Sequence, residues 1–157
     1  MKLSWLILFS TFAESSDQQL PVHVSAGVGY ATFIDESDQS HATFGGSARF
    51  YFTRRNAIEP EVLYLYRDAS DKDLLLQVNF VRDLGTAKGK AVPYLIGGAG
   101  YIWGLRSRFT ERSPTASGGF GVRVFLGSRF FVSPEVRVGA EPILRLQVSL
   151  GWASNRP

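Results

Sequence analysis

The chain has 157 residues, 17 Lys and Arg against 14 Asp and Glu, and no cysteine. This length suits a single domain, and a hydrophobic content of 45% is high enough to exclude a disordered chain. The absence of cysteine excludes disulfides, thiolate metal sites and a cysteine nucleophile. The net charge of +3 comes without a block of Lys or Arg, so the composition does not indicate a nucleic-acid-binding protein.

The first residues have the pattern of an export signal. Lys2 is followed by an uncharged apolar run over residues 3–13 and then by small and polar residues. This order is typical of a secretory signal peptide, and the run is about half the roughly 20 residues that a membrane-spanning helix needs. We predict a signal peptide over residues 1–15, cut after Ser15 or alternatively after Ala13, and a mature domain over residues 16–157.

From residue 22 onward, apolar residues alternate with polar or small ones at a period of two. No segment has helical spacing, and Gly, Asn, Asp and Ser cluster between the alternating segments, where turns favour them. We therefore predict an all-β fold, an eight-stranded antiparallel up-and-down transmembrane β-barrel. The predicted strands are residues 22–31, 41–52, 58–66, 74–81, 92–102, 117–126, 130–138 and 143–152.

The aromatic residues assigned to the apolar face fall at two heights when the chain starts in the periplasm. The outer group is Tyr30, Phe44, Tyr64 and Tyr66, and the periplasmic group is Phe50, Phe52, Phe80, Tyr94, Phe130 and Trp152. Two aromatic girdles around an aliphatic band are typical of a barrel whose outer face contacts lipid. The alternative is a soluble periplasmic lipocalin-like barrel that binds an apolar ligand, which requires the apolar face to point inward.

The opposite face carries the charged and amide side chains. Isolated buried charges are very costly, so these groups must pair across the lumen. The predicted lumen salt-bridge network is Arg49, Glu59, Glu61, Arg123, Glu135, Arg137 and Arg145, with Gln77, Asn79 and Gln147 on the same face. An eight-stranded barrel is just wide enough for its own side chains, which favours a plugged lumen over an open polar conduit.

Residues 93–101 (PYLIGGAGY), 119–123 (GFGVR) and 133–137 (SPEVR) resemble a known family. It is the small outer-membrane β-barrel family, which includes the opacity-like, OmpA-like and OmpX-like eight-stranded barrels. The resemblance covers the mature chain. It implies an integral, porin-like protein of the Gram-negative cell envelope with a structural or surface-interaction role and no catalysis. It also implies a salt bridge between Glu135 and Arg137, because charges inside such barrels are paired.

The last predicted strand has the pattern Leu146-x-Val148-x-Leu150-x-Trp152. This pattern is similar to the terminal signal by which the barrel-assembly machinery recognises members of the family. The family signal usually ends with its aromatic residue, whereas residues 153–157 follow here. Through this strand the resemblance implies the barrel-assembly machinery as a partner. Through the barrel as a whole it implies outer-membrane lipid and lipopolysaccharide as partners.

The sequence predicts no cofactor, no metal site and no catalytic site. His23 and His41 are predicted to face the lumen at opposite ends of adjacent strands, roughly 30 Å apart, so they cannot share a metal ion or act together in catalysis. A lipid A-modifying hydrolase needs a clustered His/Ser/Glu-type site and is the weakest alternative. The glycines at 97–100 and 118–121 lie within predicted strands, where we expect them to make room for large lumen side chains.

The longest predicted outer loop, residues 104–116, contains an outer-loop basic patch of Arg106, Arg108 and Arg112 together with Phe109. Guanidinium groups beside an aromatic ring at the outer surface are suited to contact lipopolysaccharide phosphates. The alternative interpretation is an ordinary solvated loop. Nothing in the pattern predicts nucleic-acid binding.

Overall fold

The computed structural model describes residues 20–32, 40–68, 71–85, 90–104, 112–140, 142 and 144–155. These residues form eight strands and no helix. The strands are β1 (Val22–Thr32), β2 (Ser40–Tyr51), β3 (Asn56–Asp68), β4 (Asp71–Asp83), β5 (Ala91–Gly104), β6 (Arg112–Phe125), β7 (Phe130–Gly139) and β8 (Leu144–Ala153).

Each strand pairs antiparallel with the next one along the chain, and β8 pairs with β1, so the sheet closes into a barrel. Closure leaves no strand edge unpaired. The predicted all-β, eight-stranded up-and-down barrel is therefore confirmed. No helix within the described ranges has the length and hydrophobicity needed to cross a membrane.

The two ends of the barrel differ in their connections. The termini end holds Val22 and Ala153 together with the turns that join β2 to β3, β4 to β5 and β6 to β7. In the first of these turns the Thr53 hydroxyl accepts a hydrogen bond from the Asn56 amide at 2.9 Å, which is how a threonine stabilises a tight turn. The opposite end, here the loop end, holds the other four connections.

The loop between β5 and β6 is shorter than predicted. The sequence analysis assigned residues 104–116 to this loop, but β6 begins at Arg112 and pairs with β5 from Trp103 onward. Pro114 obscured the strand in the sequence because proline is rare in strands. The structure places Pro114 opposite Tyr101, near the end of the ladder.

Two prolines interrupt the hydrogen-bond ladders at matching places. The β2–β3 ladder breaks beside Pro60 and the β6–β7 ladder breaks beside Pro134, because proline has no N–H to donate. The register is unchanged across each break. Each proline is followed by a buried glutamate, Glu61 or Glu135, and β3 and β7 are half a barrel apart. The repeated Pro-Glu-Val sequence thus brings a carboxylate into the lumen from each side.

The lumen is layered rather than uniformly polar. An apolar cluster lies at the loop end, made of Ala31, Leu63, Leu65, Leu75 and Ile102. At the termini end two further apolar clusters line the interior: Tyr51, Ala57, Val81, Tyr94 and Ile96, and Val92, Phe125, Phe131 and Ala153. A charged layer, made of Arg49, Glu59, Glu61, Glu135, Arg137 and Arg145, lies between the loop-end cluster and the two termini-end clusters.

One aromatic residue was assigned to the wrong face. The sequence analysis placed Tyr94 in the periplasmic girdle, but its side chain points into the lumen and is only 2% exposed. Its strand is apolar on both faces here, because Pro93 and Leu95 on one face alternate with Val92, Tyr94 and Ile96 on the other. Apolar alternation alone could not distinguish the two faces of this segment.

Candidate functional site in the barrel lumen

Arg137 on β7 contacts all three glutamates of the charged layer. Its Nε donates to Oε1 of Glu135 at 2.5 Å, and its Nη1 donates to Oε2 of Glu61 at 3.0 Å. Its Nη2 lies 3.8 Å from Oε1 of Glu59. Charge-assisted hydrogen bonds of this kind compensate for the removal of a guanidinium from water.

The other two arginines of this layer each contact a glutamate on β3. Arg145 Nη2 donates to Oε2 of Glu61 at 2.9 Å, and it lies 4.0 Å from Oε1 of Glu135. Arg49 Nε donates to Oε2 of Glu59 at 2.5 Å. We call these six residues the central cluster. Its three arginines and three glutamates carry no net charge, which is what burial in a narrow lumen requires.

Neutral side chains make further hydrogen bonds within the central cluster. The Asn79 amide donates to Glu61 at 3.3 Å and its carbonyl oxygen accepts from Arg137 at 3.1 Å. The Tyr94 hydroxyl donates to Oε2 of Glu135 at 2.8 Å. These contacts hold the carboxylates in fixed positions, since a buried hydrogen-bond network is rigid when its groups are paired.

A second charged group lies nearer the termini end, and we call it the termini-end cluster. Arg123 donates to Asp83 at 2.5 Å, to the Tyr51 hydroxyl at 2.5 Å, and contacts Nδ1 of His23 at 2.7 Å. The Tyr51 hydroxyl also donates to Asp83 at 2.8 Å. All four side chains are buried.

Of the seven residues predicted to form one network, the structure brings six together in the central cluster and places Arg123 in the other cluster. The Tyr94 ring lies between the two clusters, with the Arg49 guanidinium 4.4 Å and the Arg123 guanidinium 5.6 Å from its centroid. Both distances are within the range of cation–π attraction. The sequence predicts a single network because all seven residues share the lumen face, and alternation along a strand does not show which of them meet.

Asp83 is the charged lumen residue that the sequence analysis missed. The predicted fourth strand ends at residue 81, so Asp83 falls in the segment between predicted strands, where Asp is common in turns. In the structure it is the last residue of β4 and continues the lumen face that carries Gln77 and Asn79. The period of two, extended by one more step from Asn79 through Val81, was the signal that could have found it.

Glycines provide the space for the large lumen side chains, as the sequence analysis expected. A methyl group on Gly121 would meet the Tyr94 ring at 2.5 Å, and one on Gly151 would overlap the Phe131 ring. On the outer face of the same strands, a methyl group on Gly118 would have no atom nearer than 3.8 Å. The inward glycines are therefore required by packing.

The central cluster encloses little free space. A cavity of about 20 Å³ lies among its residues and its neighbours Ser25, Ser47 and Ser133. A water molecule fits in such a volume, but an apolar ligand does not.

The structure places the remaining candidate residues apart from one another. His23 and His41 are both buried, and His23 lies in the termini-end cluster while His41 pairs in register with Ala31 at the loop end. Among the described residues, no group of three or more His, Cys, Asp or Glu is arranged to hold a metal ion. Of the outer-loop patch, Arg106 and Arg108 lie outside the described residues, as does the predicted signal peptide. Arg112 lies over the Trp103 ring at 5.6 Å.

Comparison with solved structures gives barrels of the same size. The N-terminal β-barrel domain of OprF from Pseudomonas aeruginosa matches with a TM-score of 0.68 at 18% identity, over 86% of this chain and 98% of that domain. Neisserial surface protein A matches with a TM-score of 0.60 at 13% identity, over 88% of this chain and 97% of the other. This chain has the fold of the small eight-stranded outer-membrane β-barrels.

Two further matches are a natural outer-membrane protein and a designed barrel. Ail of Yersinia pestis, solved with the heparin analogue sucrose octasulfate, matches with a TM-score of 0.56 at 13% identity, over 86% of this chain and 99% of that one. A de novo designed transmembrane β-barrel matches with a TM-score of 0.57 at 13% identity, over 88% of this chain and 99% of the design. No protein-family model and no curated protein matches the sequence. Identities this low establish the fold alone.

Proposed function

We propose that this chain is an integral outer-membrane protein whose barrel spans the bilayer, whose lumen is plugged by its own side chains, and whose role is structural or surface-interacting rather than catalytic. The observation that carries the proposal is the inversion of the barrel. Large apolar side chains cover the outside, and the charged side chains of Arg49, Glu59, Glu61, Arg137 and Arg145 are buried inside. A protein dissolved in water rarely exposes such a continuous apolar surface.

The height of the apolar surface fits a bilayer. On β4 the outward residues between Lys72 and Arg82 are all apolar: Leu74, Leu76, Val78 and Phe80. Ten residues span roughly 33 Å along a strand, or about 25 Å along the axis of a barrel whose strands tilt by about 40°. This height equals the apolar band of about 25 Å on outer-membrane barrels.

Aromatic side chains border this apolar belt at both ends. Exposed rings at the loop end are Tyr30, Phe44, Tyr66 and Tyr101, and those at the termini end are Phe50, Phe52, Phe80, Phe130 and Trp152. Aromatic residues favour the two interfaces of a membrane, so the girdles support a spanning orientation. Tyr101, which the sequence analysis assigned to neither girdle, belongs to the girdle at the loop end. Tyr94 does not belong to the girdle at the termini end, because it faces the lumen.

The central cluster supports a plugged lumen. An ion crossing the barrel would have to separate charge-assisted bonds such as Arg49–Glu59 and Arg137–Glu135, each 2.5 Å long, in a space that admits about one water molecule. The same geometry opposes the soluble lipocalin-like alternative, which needs an apolar pocket inside. The separation of His23 from His41 likewise opposes a lipid A-modifying hydrolase.

The proposed partners follow from this placement. The chain would be exported by the signal peptide over residues 1–15 and recognised by the barrel-assembly machinery through β8, whose outward face is Leu146, Val148, Leu150 and Trp152. Lipopolysaccharide is the proposed contact of the loop-end basic patch, in which Arg112 stacks on Trp103. Substituting Arg106, Arg108 and Arg112 with Gln should sensitise cells to divalent-cation chelators, and unchanged sensitivity would exclude the contact.

Gel mobility of the outer-membrane fraction, unboiled against boiled, tests the proposal. A closed membrane barrel keeps its fold in SDS until it is heated, because every strand edge is paired. We expect a heat-dependent shift in the membrane fraction. Recovery from the soluble periplasm without a shift would contradict it. For the plug, we expect negligible conductance in planar bilayers, and steady large conductance would show an open lumen.

A further inference from the structure

The two ends of the barrel surface differ in their charged residues. At the termini end, Arg54, Arg55, Arg82, Lys90 and Arg129 are exposed, and we call the last four of these residues the basic rim. The acidic residues of the described part of the chain are placed elsewhere: the side chains of Glu59, Glu61, Asp83 and Glu135 are buried in the lumen, and Asp68, Asp71 and Asp73 occupy strand positions at the loop end. Within the described residues, the termini-end surface is therefore positive without a compensating surface acid.

The basic rim lies directly beyond the aromatic girdle of its end. Arg82 is two residues after Phe80 on the same outward face of β4. The Arg129 guanidinium is 5.9 Å from the centroid of the Trp152 ring. Arg55 lies in the turn that begins with Phe52, whose ring is 6.2 Å from that of Phe80. In a spanning barrel this is the height of the headgroups, where long basic side chains extend to meet phosphate.

The rim residues are distributed around the barrel. Arg55 belongs to the β2–β3 turn, Lys90 to the β4–β5 connection and Arg129 to the β6–β7 turn, so they occupy separate sectors of the circumference. They do not converge on one pocket, as recognition of a single polyanionic molecule would require. A ring of separate positive charges instead fits many small anions in a plane, which is the arrangement of headgroups in a leaflet.

We propose that the basic rim binds anionic phospholipid headgroups and enriches them around the termini end of the barrel. This inference rests on the proposed function, since it needs the barrel to span a bilayer. It assigns the rim to the phospholipid leaflet, and it differs from the proposed lipopolysaccharide contact, which lies at the opposite end.

The fluorescence of two tryptophans, one at each end of the barrel, reports which lipids lie beside that end. Trp152 lies beside the rim, and Trp103 lies on the outer surface at the loop end. In a Trp5→Phe background, the protein is reconstituted into phosphatidylcholine vesicles that contain a minority of phosphatidylglycerol. Two vesicle samples have the same ratio of the two lipids. In one sample the phosphatidylglycerol carries bromine on its acyl chains, and in the other the phosphatidylcholine does. Bromine quenches tryptophan fluorescence on contact, so each sample reports contact with one lipid. Trp152→Phe and Trp103→Phe separate the two signals.

We expect phosphatidylglycerol to quench Trp152 at least about twofold more than its bulk fraction predicts, since each basic residue near a membrane surface contributes attraction of roughly 1 kcal/mol, equivalent to about fivefold. Trp103 should show a smaller excess than Trp152, because Asp73, which pairs in register with Gly104 beside Trp103, offsets the charge of Arg112. The variant Arg55→Gln/Arg82→Gln/Lys90→Gln should lose most of the excess, and Arg82→Gln alone should lose a smaller part of it. Arg129 is kept because it contacts the reporter ring. Lys72→Gln, which removes a positive charge at the loop end of the strand that carries Arg82, should leave the excess at Trp152 unchanged.

The outcomes separate the two proposals. If unboiled protein runs as a folded barrel but Trp152 follows the bulk fraction, the rim proposal is overturned and the membrane barrel stands. An excess in the triple variant as large as that in the parent protein also overturns it. If neither tryptophan is quenched by either lipid and no heat-dependent shift occurs, the spanning barrel itself fails, and the rim proposal with it.

Discussion

Arg123 and Asp83 lie 40 residues apart in the chain and meet at 2.5 Å inside the termini end of the barrel. Their strands, β6 and β4, are not neighbours, since β5 lies between them. The arginine has no exposed surface and the aspartate is 2% exposed, so each charge is balanced by the other and by the Tyr51 hydroxyl. The pair therefore links non-adjacent strands across the interior.

Removing one member of this pair should destabilise the barrel strongly. We expect Arg123→Met to lower the free energy of unfolding by about 3 kcal/mol or more, because it leaves the Asp83 carboxylate buried without its cation. Asp83→Leu should cost a similar amount by stranding the arginine. The measurement is the urea midpoint of unfolding in detergent or lipid, followed by the heat-dependent gel shift. The double variant should recover most of the loss, and additive losses would show that the two charges do not stabilise each other.

The glutamates on β3 should differ in importance. Glu61 accepts hydrogen bonds from Arg137, Arg145 and Asn79, whereas Glu59 accepts one at 2.5 Å from Arg49 and lies 3.8 Å from Arg137. We expect Glu61→Gln to destabilise the barrel more than Glu59→Gln, because it removes the negative charge shared by two buried guanidinium groups and replaces one accepting oxygen with a donating NH2 group. Equilibrium unfolding of both variants checks this order. Equal losses would mean that the central cluster redistributes its bonds freely.

Inward and outward glycines should respond differently to the same change. Gly121→Ala places a methyl group against the Tyr94 ring and should cost about 1–3 kcal/mol of stability through overpacking. Gly118→Ala, on the outer face of the same strand, meets no atom nearer than 3.8 Å and should change stability little. Unfolding midpoints of the two variants make the comparison. A loss in Gly118→Ala as large as that in Gly121→Ala would contradict the packing explanation.

A charge placed in the middle of the apolar belt should reveal which solvent it contacts. Val78 is 56% exposed on the outer face. If that face contacts lipid, Val78→Arg should cost about 2–4 kcal/mol, as arginine does near the bilayer midplane. In a water-soluble barrel the same exposed change would fall within about 0.5 kcal/mol. Ser128→Arg, in an exposed turn at the termini end, is the control and should fold like the parent protein in both environments.

Much of the architecture was predictable because a strand has a period of two. Glu59 and Glu61 fall on one face of β3 and Ile58 and Val62 on the other, so the alternation predicts both the strand and its two environments. The same rule fails where both faces are apolar, which is why Tyr94 was assigned to the outside. It also fails where a polar residue ends a strand, as Asp83 does, since turn propensity then competes with alternation.

The sequence by itself determined the number of strands, their order and, except for Asp83, the buried charges that share the interior face, since these depend on local alternation and on turn residues. Only the tertiary structure decided which charges meet. Arg137 reaches Glu61 on a strand half a barrel away, and Arg123 pairs with Asp83 instead of joining the central cluster. Those partners are fixed by closure of the sheet and by large side chains that point into the lumen, such as Tyr94, so no pattern along one strand could specify them.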